Sequence, residues 1–592
     1  MGDRKIDIRV CMGTGGISAG APKVIENFSA HLAEAGIEAS VSSNCSIHNV
    51  GCRGLCAKDV LVDITVDGAK VIYEYIQPEM VERIVKEHLI EGIPVEEWMV
   101  KEDYHNFLKK QVKVVLSDCG VVDPEDLDSY LSVDGYEALR KVIAQNSPED
   151  IIKTISDSGL RGRGGAGFPT GRKWATCRKT TSDVKYMICN ADEGDPGAFM
   201  DRSIIEGNPH LLVEGMVIAA FAVGCSDGYV YIRAEYPLAV ERLEKALVDA
   251  RERNFLGKNI LGSGFDFDIE VYQGAGAFVC GESTALMRSI EGKRGMPRPT
   301  PPNSVYMGLN GKPSVLNNVE TFANVPYIIR KGSDWFASYG TEKSKGTKAF
   351  ALTGKIVNSG LIEIPMGMSL REIVYDIGGG IDSGKKLKAV QTGGPSGGCI
   401  PASMIDTSVD FESLAELGSI VGSGGMIVLD EDDCMVNITK YFLQFTEEES
   451  CGKCVPCRVG TKRLLEILER ITEGKGRPGD LELLEDLGDK VVDASLCGLG
   501  KSAPNPILST IRYFREEYEA HLEGRCPARQ CKALLTYTIF PELCKGCGAC
   551  RRACAAGAIS GEKKEPHVID QSKCVKCGAC YDVCKFGSVG KE

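Results

Sequence analysis

The sequence predicts a multidomain protein of the α/β and α+β classes that ends in a helical segment and a short cysteine-rich segment. Three observations support this prediction. The chain has 592 residues, which is more than a single hydrophobic core usually holds. Between about residues 110 and 345, strand-like runs alternate with glycine-rich loops and helical runs, as in α/β units. The 25 cysteines gather mainly in C-x-x-C runs, a spacing typical of metal sites.

Composition narrows the classes of function. The net charge of −13 leaves no basic footprint, so nucleic acid is not an expected partner. The longest apolar run, Met216–Val223, is well short of a membrane span, and Met1–Val10 lacks the apolar core of a signal peptide. Clustered cysteines without an export signal are typical of metal binding in a reducing compartment. We therefore expect a cytoplasmic metalloprotein.

Residues 1–100 are predicted to form one small α/β unit. Alternating strand patterns, helical apolar spacing and an Asp-Gly turn support this prediction. The predicted elements are a strand at Asp7–Val10, a helix at Pro22–Ala35, a hairpin of Val60–Val66 and Val71–Tyr75, and a helix at Glu79–Leu89.

Three cysteines of this unit stand near predicted strand ends. Cys11 ends the first strand, and Cys52 and Cys56 lie in a glycine-containing loop, GCRGLC, before the next strand. An iron–sulfur site is one interpretation of this arrangement. Buried thiols without a metal are the alternative.

A glycine-rich stretch, Gly159–Trp174 (GLRGRGGAGFPTGRKW), follows a predicted strand at Val112–Ser117 and two predicted helices. A run so rich in glycine is unfavourable inside a helix or strand, whereas its bare N–H groups suit a phosphate. Positive charge is added to the same loop by Arg161, Arg163, Arg172 and Lys173. A phosphate-bearing cofactor is the expected occupant, and a tight structural loop is the alternative.

An acidic motif follows the next predicted strand, Tyr186–Asn190, which runs into NADEGDPGAF. Asn190, Asp192 and Glu193 therefore stand at the carboxyl end of a strand, where α/β folds bind their ligands. These side chains suit hydrogen bonds to a flavin ring or to ribityl hydroxyls. A solvated acidic turn is the alternative.

Two more segments, Gly274–Ala285 (GAGAFVCGESTA) and Leu316–Thr321 (LNNVET), complete a set of four motifs. In this order GRGGAGFPTGRKW, NADEGDPG, GAGAFVCGE and NNVET closely resemble the FMN- and NADH-binding subunit of respiratory complex I. They equally resemble the B subunit of electron-bifurcating iron-only hydrogenases and of NAD-reducing hydrogenases. The resemblance implies a Rossmann-like FMN domain at residues 110–345.

The resemblance also implies the residues that contact FMN. No nucleophile or general-base constellation is visible, so the chemistry is that of the flavin, with Glu193 as a candidate catalytic residue. The implied cofactor-binding residues are Gly162, Arg163, Gly164, Gly165, Gly167, Lys173, Asn190, Asp192, Glu193, Phe278, Gly281, Glu282, Asn317, Asn318 and Thr321.

The half of the cleft that binds the nicotinamide nucleotide in this family differs here. Thr300 and Asn303 replace a lysine and an aromatic, Ser283 replaces a carboxylate, Thr176 replaces an aromatic, and Phe278 replaces a tyrosine. Loss of a cation or of a stacking face weakens binding by roughly 1–3 kcal/mol each. We therefore expect an intact flavin site and leave NAD(H) binding open.

Residues 1–100 resemble the thioredoxin-like [2Fe–2S] domain of the small NADH-dehydrogenase subunit of complex I. That family uses four cysteines, two in an early loop and two in a C-x-x-x-C. Here the early loop reads CMGTGG, so Gly16 stands where the second cysteine is expected. Three alternatives stay open: the [2Fe–2S] cluster is absent, Cys45 completes it, or another group does.

Residues 346–430 form a smaller predicted module. Lys348–Ile356 and Gly360–Pro365 have strand patterns, and Leu370–Ile377 has a helical pattern. The module resembles the β-grasp, soluble-ligand-binding-like module that follows the flavin domain in this family. We assign it a packing role and no chemistry.

Residues 435–530 are predicted to be helical and to hold a [4Fe–4S] cluster. Three cysteines at C-x-x-C-x-x-C spacing and one remote cysteine are a standard cubane ligand set, and the segment resembles the family's helical [4Fe–4S] domain. Zinc is the chemical alternative. The ligands are Cys451, Cys454, Cys457 and Cys497.

A second metal site is predicted beside this helical segment. His521, Cys526 and Cys531 supply three zinc donors and lack the fourth that tetrahedral zinc needs. Cys434 is the cysteine we nominate, since hydrogenase B subunits also carry one there. Reduced thiols without a metal are the alternative.

Residues 534–592 are predicted to be a ferredoxin domain with two [4Fe–4S] clusters. The run C-x-x-C-x-x-C-x-x-x-C occurs twice, and each run gives three ligands to one cluster and its last cysteine to the other. The ligands are Cys544, Cys547, Cys550, Cys554, Cys574, Cys577, Cys580 and Cys584.

Three hypotheses of function follow. The first is an NAD(P)H-linked FMN and iron–sulfur subunit of a multisubunit oxidoreductase, with electron bifurcation as a variant; its expected partners are hydrogenase-like or other redox subunits, a small [2Fe–2S] subunit and ferredoxin. The second is an FMN subunit whose two-electron partner is not NAD(P)H. The third is a non-catalytic relay scaffold that carries clusters for another enzyme.

Overall fold

The computed structural model describes residues 4–37, 44–145, 147–382 and 384–592. The first three residues of Met1–Val10 therefore lie outside the described residues. Contacts divide the chain into two compact units. The first comprises Met1–Lys385 and Ala389–Val428, and the second comprises Lys386–Lys388 and Leu429–Glu592.

The first unit begins with a four-stranded sheet of order β2-β1-β3-β4. Strand β1 pairs in parallel with β2 and antiparallel with β3, and β3 and β4 form a hairpin. A parallel β-α-β start followed by an antiparallel hairpin and a closing helix is the thioredoxin-like arrangement, so this prediction is confirmed. The elements are β1 (Ile6–Cys11), α1 (Thr14–Ser18), α2 (Ala21–Glu34), β2 (Cys45–Val50), β3 (Val62–Val66), β4 (Ala69–Tyr73) and α3 (Val81–Arg83), which continues as a π-helical turn at Ile84–Ile90.

The turn of this hairpin explains why it was predictable. Asp67 and Gly68 have φ values of 51° and 87°, so both central residues lie in the left-handed region that a tight hairpin turn requires. Helix α2 matches the predicted Pro22–Ala35 helix and buries one face, with Val24, Phe28 and Leu32 in the core. Local chemistry and apolar spacing therefore agree here.

A second sheet, of order β7-β6-β5-β8, is entirely parallel. Helices cover it, and α10 is buried along all its length except Phe221. The register places Asn190 of β5 opposite Asn318 of β8, so their carboxyl ends share one edge. The elements are α4 (Glu102–Lys109), α5 (Leu127–Leu131), α6 (Glu137–Gln145), α7 (Pro148–Asp157), α8 (Thr170–Lys179), β5 (Tyr186–Ala191), α9 (Met200–Gly207), α10 (Pro209–Val223), β6 (Asp227–Arg233), α11 (Pro237–Glu252), β7 (Asp268–Gly274), α12 (Ser283–Ile290), β8 (Ser314–Asn318), α13 (Val319–Lys331) and α14 (Ser333–Ala337).

Hydropathy along the helices gives one membrane-related finding. Within the described ranges, no single helix is long and apolar enough to cross a membrane. Helices α9 and α10 pass the length and composition test only together, as a pair bent by 99°.

A mixed five-stranded sheet of order β10-β9-β13-β11-β12 follows. Strand β9 pairs antiparallel with β10 and in parallel with β13. The elements are β9 (Thr347–Gly354), β10 (Gly360–Pro365), a π-helical segment (Glu372–Ile377), β11 (Leu387–Thr392), β12 (Gly398–Pro401), α15 (Phe411–Glu416) and β13 (Gly425–Asp430).

The strand predicted at Val112–Ser117 is wrong. The backbone N–H groups of Val114, Val115 and Leu116 all donate to the Glu363 carboxylate, at 2.8, 3.2 and 3.0 Å. The segment is therefore wrapped around one buried acceptor instead of pairing with a strand. Burial raises the pKa of Glu363 to about 7.

The second unit contains a group of helices and a small cysteine-rich tail. The tail has two short antiparallel ladders, β14 with β17 and β15 with β16, and its core combines cysteines with aliphatic side chains. The elements are α16 (Met435–Glu448), α17 (Thr461–Thr472), α18 (Asp480–Ala494), α19 (Gly498–Ser502), α20 (Asn505–Leu522), β14 (Tyr537–Ile539), α21 (Ala549–Ala553), β15 (Ile559–Ser560), β16 (Val568–Ile569), α22 (Ala579–Asp582) and β17 (Val589–Lys591).

Candidate functional site

The glycine-rich loop joins α7 to α8 at the edge where β5 and β8 end. The Gly162 N–H donates to the Phe168 carbonyl at 2.9 Å, which closes the loop. At Gly164 an added Cβ would lie 2.9 Å from the Cβ of Asn318, and Gly165 and Gly167 have φ values of 112° and 60°. The loop thus needs glycine both for its conformation and for its close approach to β8.

Arg163 is an anchor of this loop. Its guanidinium donates to the carbonyls of Thr347, Arg161 and Lys345, and only 1% of the residue is exposed. Its backbone N–H donates to the Thr321 hydroxyl at 2.9 Å. Burial lowers the pKa of Arg163 to about 10. Arg163 and Thr321 therefore hold the loop in place, and their predicted contact with the cofactor stays a prediction.

Two donors converge where the loop meets β8. The Lys173 ammonium donates to the Leu316 carbonyl at 2.7 Å, and burial lowers the pKa of Lys173 to about 8. Asn317 is 3% exposed, and its Nδ2 has no hydrogen-bond partner among the described residues. A partly buried cation and an unused amide donor beside a glycine loop fit a phosphate and sugar hydroxyls. These residues therefore fit FMN.

Asn190 ties the acidic motif to the third motif. Its Nδ2 donates to the Gly281 carbonyl at 2.9 Å, and its Oδ1 accepts from the Asp192 N–H at 3.0 Å. An added Cβ on Gly281 would lie 3.5 Å from the Asp192 carbonyl oxygen. The structure thus brings these three predicted residues together at the carboxyl end of β5.

Glu193 caps helix α9. Its carboxylate accepts from the N–H groups of Asp201 and Arg202, at 3.1 and 3.2 Å. The side chain of Asn318 donates to the Asp201 carboxylate and caps α13 by accepting from the Glu320 N–H at 2.9 Å. Burial raises the pKa of both Glu193 and Asp201. The site therefore contains two neighbouring buried carboxyl groups.

Arg233 joins the site at the end of β6. Its guanidinium lies 3.5 Å from the Asp192 carboxylate and donates to the Gly276 carbonyl at 2.7 Å. An added Cβ on Gly194 would lie 2.6 Å from Arg233 Nη1 and 2.8 Å from the Phe278 ring. Gly194 thus lets the backbone lie against Arg233 and Phe278.

The sequence reasoning missed Asp201 and Arg233. Arg233 ends a strand in the same parallel sheet as Asn190, so the strand-end rule that found Asn190 also applies to it. No comparable signal marks Asp201 in the sequence.

Glu282 is the N-cap of α12. Its carboxylate accepts from the N–H groups of Thr284 and Ala285, at 3.0 and 2.9 Å, and from the Ser283 hydroxyl at 3.1 Å. This contact stabilises the helix start, and the predicted role of Glu282 in cofactor binding stays a prediction.

The residues that replace the usual nucleotide contacts make local contacts. The Thr176 hydroxyl donates to the Arg172 carbonyl at 2.8 Å. The Asn303 carbonyl accepts from the N–H groups of Tyr306 and Met307, at 2.9 and 3.0 Å. The Thr176 contact lies within helix α8, and the Asn303 contacts form a turn.

The cysteines of the predicted helical [4Fe–4S] site face one another. Cys457 is buried, and burial together with the nearby thiols of Cys454, Cys497 and Cys451 raises its pKa to about 11. An added Cβ on Gly500 would lie 3.0 Å from the Cys457 Cβ. The remote Cys497 is thus brought to the C-x-x-C-x-x-C run at the start of α19.

The tail arranges its two cysteine runs alike. Helices α21 and α22 each begin after a left-handed glycine, Gly548 and Gly578. The N–H groups of Ala558 and Ser588 donate to the sulfurs of the last cysteines of the two runs, both at 3.3 Å. The Ser588 hydroxyl adds a 3.1 Å contact to Cys584. Ser588 therefore gives Cys584 a hydroxyl contact that Ala558 cannot give the equivalent Cys554.

Four buried residues of the second unit form a compact metal-ligand set. The ligand atoms of Cys434, His521, Cys526 and Cys531 all lie within 4.8 Å of one another. His521 Nε2 is 3.4 Å from the Cys434 sulfur and 3.3 Å from the Cys531 sulfur. His521 Nδ1 contacts the Glu517 carbonyl at 2.6 Å, which leaves Nε2 for a metal. This donor set fits tetrahedral zinc.

The three N-terminal thiols are also brought together. The Cys52 and Cys56 sulfurs are 3.6 Å apart. A hydrogen bond with Cys52, together with burial, raises the pKa of Cys11. Cys45 pairs with Ile6 at the opposite end of β1 from Cys11, about 16 Å away at 3.3 Å per residue. Completion of this site by Cys45 is therefore excluded.

These sites define a class of protein, the oxidoreductase subunits that carry a flavin and iron–sulfur clusters. Residues 155–327 match the Nuo51 FMN-binding domain, residues 437–521 match the iron-sulfur binding region of NADH-ubiquinone oxidoreductase-F, and residues 543–588 match the 4Fe-4S dicluster domain. The chain belongs to the family of complex I-type FMN-binding subunits. It carries regions for FMN, one [4Fe–4S] cluster and a pair of [4Fe–4S] clusters.

Relatives cover most of the chain. The NADP-reducing hydrogenase subunit HndC of Solidesulfovibrio fructosivorans is 59% identical over 460 residues, which are 78% of this chain and 94% of that protein. A subunit of the NADH-quinone oxidoreductase of Rhizobium meliloti (strain 1021) is 46% identical over 415 residues, 70% of this chain and 99% of that protein. A crystal structure of an NAD+-reducing [NiFe]-hydrogenase in the H2-reduced state is 30% identical, with a TM-score of 0.63, and the match covers 88% of this chain and 84% of that one.

Proposed function

We propose that this chain is the FMN and iron–sulfur subunit of a multisubunit enzyme that exchanges electron pairs with NAD(P)H and single electrons with its clusters. The observation that carries this proposal is the convergence of Lys173 and the unused Asn317 amide beside the glycine loop, in a chain that also holds cluster regions. Relatives named as NADP-reducing and NADH-quinone enzymes support it. FMN, when bound, takes up electrons as a pair and releases them singly.

The protein's part in this reaction is to bind and orient. The Lys173 ammonium and the loop N–H groups suit the phosphate, and Asn317 suits a hydroxyl of the ribityl chain. Asn190, Asp192 and Gly281 set the backbone at the end of β5 where the ring would lie. Glu193 stays the candidate catalytic residue, with a carboxyl pKa raised by burial. A carboxyl of raised pKa holds its proton closer to neutral pH.

Two further metal groups belong to this proposal. A [2Fe–2S] cluster at Cys11, Cys52 and Cys56 is supported by the convergence of these thiols. A structural zinc at Cys434, His521, Cys526 and Cys531 is supported by their 4.8 Å spread. The zinc would cross-link the start of α16 to the end of α20.

One short helix connects the N-terminal thiols to the flavin region. Helix α9 begins at the Glu193 carboxylate, and near its end Glu206 accepts from the Thr14 N–H at 2.9 Å and from the Thr14 hydroxyl at 2.5 Å. Its eight residues span about 12 Å. This spacing supports a role for the N-terminal cluster in electron transfer with the flavin.

The partners in this proposal are redox subunits. The ferredoxin-like tail supports exchange with ferredoxin, and a relative named as a hydrogenase subunit supports a hydrogenase-like partner. A small [2Fe–2S] subunit and electron bifurcation remain part of the proposal.

A second candidate function is an FMN subunit whose two-electron partner is not NAD(P)H. The substitutions Ser283, Thr300 and Asn303 favour it, because they remove a carboxylate, a cation and an aromatic from the expected nucleotide pocket. A relay scaffold without flavin is the third candidate. It is disfavoured because Lys173 and Asn317 fit FMN.

Anaerobic purification with flavin counting and stopped-flow absorbance separates the three candidates. The first candidate expects one FMN per chain and rapid bleaching of its absorbance by NADH or NADPH. Full FMN without bleaching by either nucleotide would favour the second. A folded chain with its [4Fe–4S] signals and no FMN after reconstitution would favour the third.

A further inference from the structure

The N-terminal cluster proposed above has three cysteines and needs a fourth protein ligand. Cys45 is excluded because it starts β2, at the far end of the sheet from Cys11. Gly16, which stands at the position of the missing cysteine, lies in α1. An added Cβ there would be 2.1 Å from the Cys11 carbonyl oxygen. The backbone therefore occupies the space that a cysteine side chain at this position would need.

Asp59 lies where that ligand is missing. It follows the short 3₁₀ turn Cys56–Lys58. Burial raises the pKa of its carboxyl group to about 6, and the nearby Cys11 thiol acts against this rise. Its Oδ2 is buried and has no hydrogen-bond partner in the described part of the chain. A buried carboxylate oxygen without a partner is costly unless a ligand or metal binds it.

Helix α1 leaves room for this carboxylate. An added Cβ on Gly15 would lie 2.9 Å from Asp59 Oδ2, so a larger residue there would crowd the oxygen. The four groups follow one another in space: Cys56 contacts Cys52, Cys52 contacts Cys11, and Cys11 contacts Asp59. This order places Cys52 beside Cys56 and Cys11 beside Asp59, an arrangement compatible with two irons that each take two protein ligands.

Nearby charged groups already have partners. The Arg53 guanidinium pairs with Asp63 and donates to the Gly120 carbonyl, and Lys58 pairs with Glu74 at 2.6 Å and with Asp103 at 2.6 Å. Asp59 is thus the carboxylate that faces the thiols. Iron in proteins accepts carboxylate oxygen as well as thiolate, and [2Fe–2S] clusters also occur with non-cysteine ligands.

We infer that Asp59 is the fourth ligand of a [2Fe–2S] cluster held by Cys11, Cys52 and Cys56. The inference rests on the proposed presence of that cluster. The site is then a three-thiolate, one-carboxylate site in which Asp59 replaces the cysteine that Gly16 lacks.

The test uses the full-length chain, reconstituted anaerobically with iron and sulfide, in three variants. Asp59→Ala removes the ligand, Asp59→Cys restores a thiolate from the same backbone position, and Asp67→Asn is the matched control on an exposed turn of the same sheet. The readouts are iron per chain, EPR of the reduced [2Fe–2S] cluster and resonance Raman of its iron–sulfur stretches. FMN content and the [4Fe–4S] signals report on folding.

The wild type and Asp67→Asn are expected to show the same [2Fe–2S] signal. Asp59→Ala is expected to lose two irons per chain and that signal, while FMN and the [4Fe–4S] signals stay. Asp59→Cys is expected to keep both irons and to show a shifted, all-thiolate Raman pattern.

Unchanged [2Fe–2S] spectra in both Asp59 variants would overturn the role of Asp59 and leave the cluster itself standing. Loss of the cluster from Asp59→Cys as well as Asp59→Ala would also overturn it. A wild-type chain without any [2Fe–2S] signal would instead overturn the proposed N-terminal cluster, and the Asp59 ligand with it.

Discussion

Substitution of Lys173 by methionine tests the flavin site at its most informative residue. The change keeps the length of the side chain and removes the charge beside the glycine loop. The ammonium donates to the Leu316 carbonyl at 2.7 Å. A hydrogen bond between charged groups contributes about 1.5–3 kcal/mol. We expect the Lys173→Met variant to bind FMN about 10- to 150-fold more weakly.

The pH dependence of FMN affinity gives a second readout of the same residue. Burial lowers the pKa of Lys173 to about 8 in the flavin-free protein. A bound phosphate favours the ammonium and raises that pKa. FMN affinity is therefore full below about pH 8, and it falls by up to about tenfold per pH unit as the pH rises from about 8 towards the higher pKa of the bound state.

Fluorescence titration of flavin-free protein with FMN, between about pH 7 and pH 10, measures both effects, because the phosphate stays dianionic above its second pKa of about 6. Arg172→Met is the matched control, since Arg172 is the exposed neighbour on the same helix. It is expected to change the affinity less than threefold or so, in line with a surface charge. A Lys173→Met variant with wild-type affinity and the wild-type pH profile would refute the role of Lys173.

Three further outcomes are expected. Lys348→Met leaves Glu320 buried without its 2.5 Å partner and should lower the free energy of unfolding by about 3–5 kcal/mol; an unchanged denaturation midpoint would contradict this. Ser588→Ala removes the hydroxyl 3.1 Å from the Cys584 sulfur and should lower the reduction potential of the cluster bound there by about 40 mV, the equivalent of about 1 kcal/mol for one electron. A redox titration monitored by EPR measures this reduction potential, and an unchanged potential would contradict the prediction. His521→Gln removes the Nε2 ligand atom and should release the zinc that metal analysis finds in the wild type. Zinc retained by the variant, or a wild type without zinc, would contradict this prediction.

The metal ligands were predictable from the sequence because their spacing is local. The C-x-x-C runs fix which cysteines lie together within one loop and helix start, so the tail and Cys451, Cys454 and Cys457 needed no tertiary information. Cys434 is 87 residues from His521 in the sequence. The sequence pattern alone could not show that these two side chains are in contact. The structure supplies this contact.

The flavin site was predictable at the level of the strand ends and not at the level of single contacts. Motif position predicts that Arg163 and Glu282 lie near FMN, and the structure adds that the Arg163 side chain holds the loop and the Glu282 side chain caps a helix. Sequence position cannot show which way a side chain points when several backbone acceptors lie within reach. Asp59 was not predicted for a related reason. It lies near Cys11 because the fold brings the end of β1 close to the turn Cys56–Lys58.

The strand predicted at Val112–Ser117 shows the same limit for secondary structure. Its apolar run fits a buried strand, and Val114, Val115 and Leu116 are buried. The competing acceptor, Glu363, is about 250 residues away in the sequence. Hydrogen bonds to a carboxylate that is distant in the sequence thus outweighed the local preference for a strand.

The central claim is that one chain converts electron pairs from a nicotinamide nucleotide into single electrons on its clusters. Its most direct test is an anaerobic titration of the FMN-loaded chain with less than one equivalent of NADH or NADPH, read by flavin absorbance and by EPR of the clusters. We expect the flavin absorbance to bleach and reduced iron–sulfur signals to appear in proportion to the nucleotide added. A flavin that neither nucleotide reduces, or a reduced flavin beside clusters that stay oxidised, would contradict the claim.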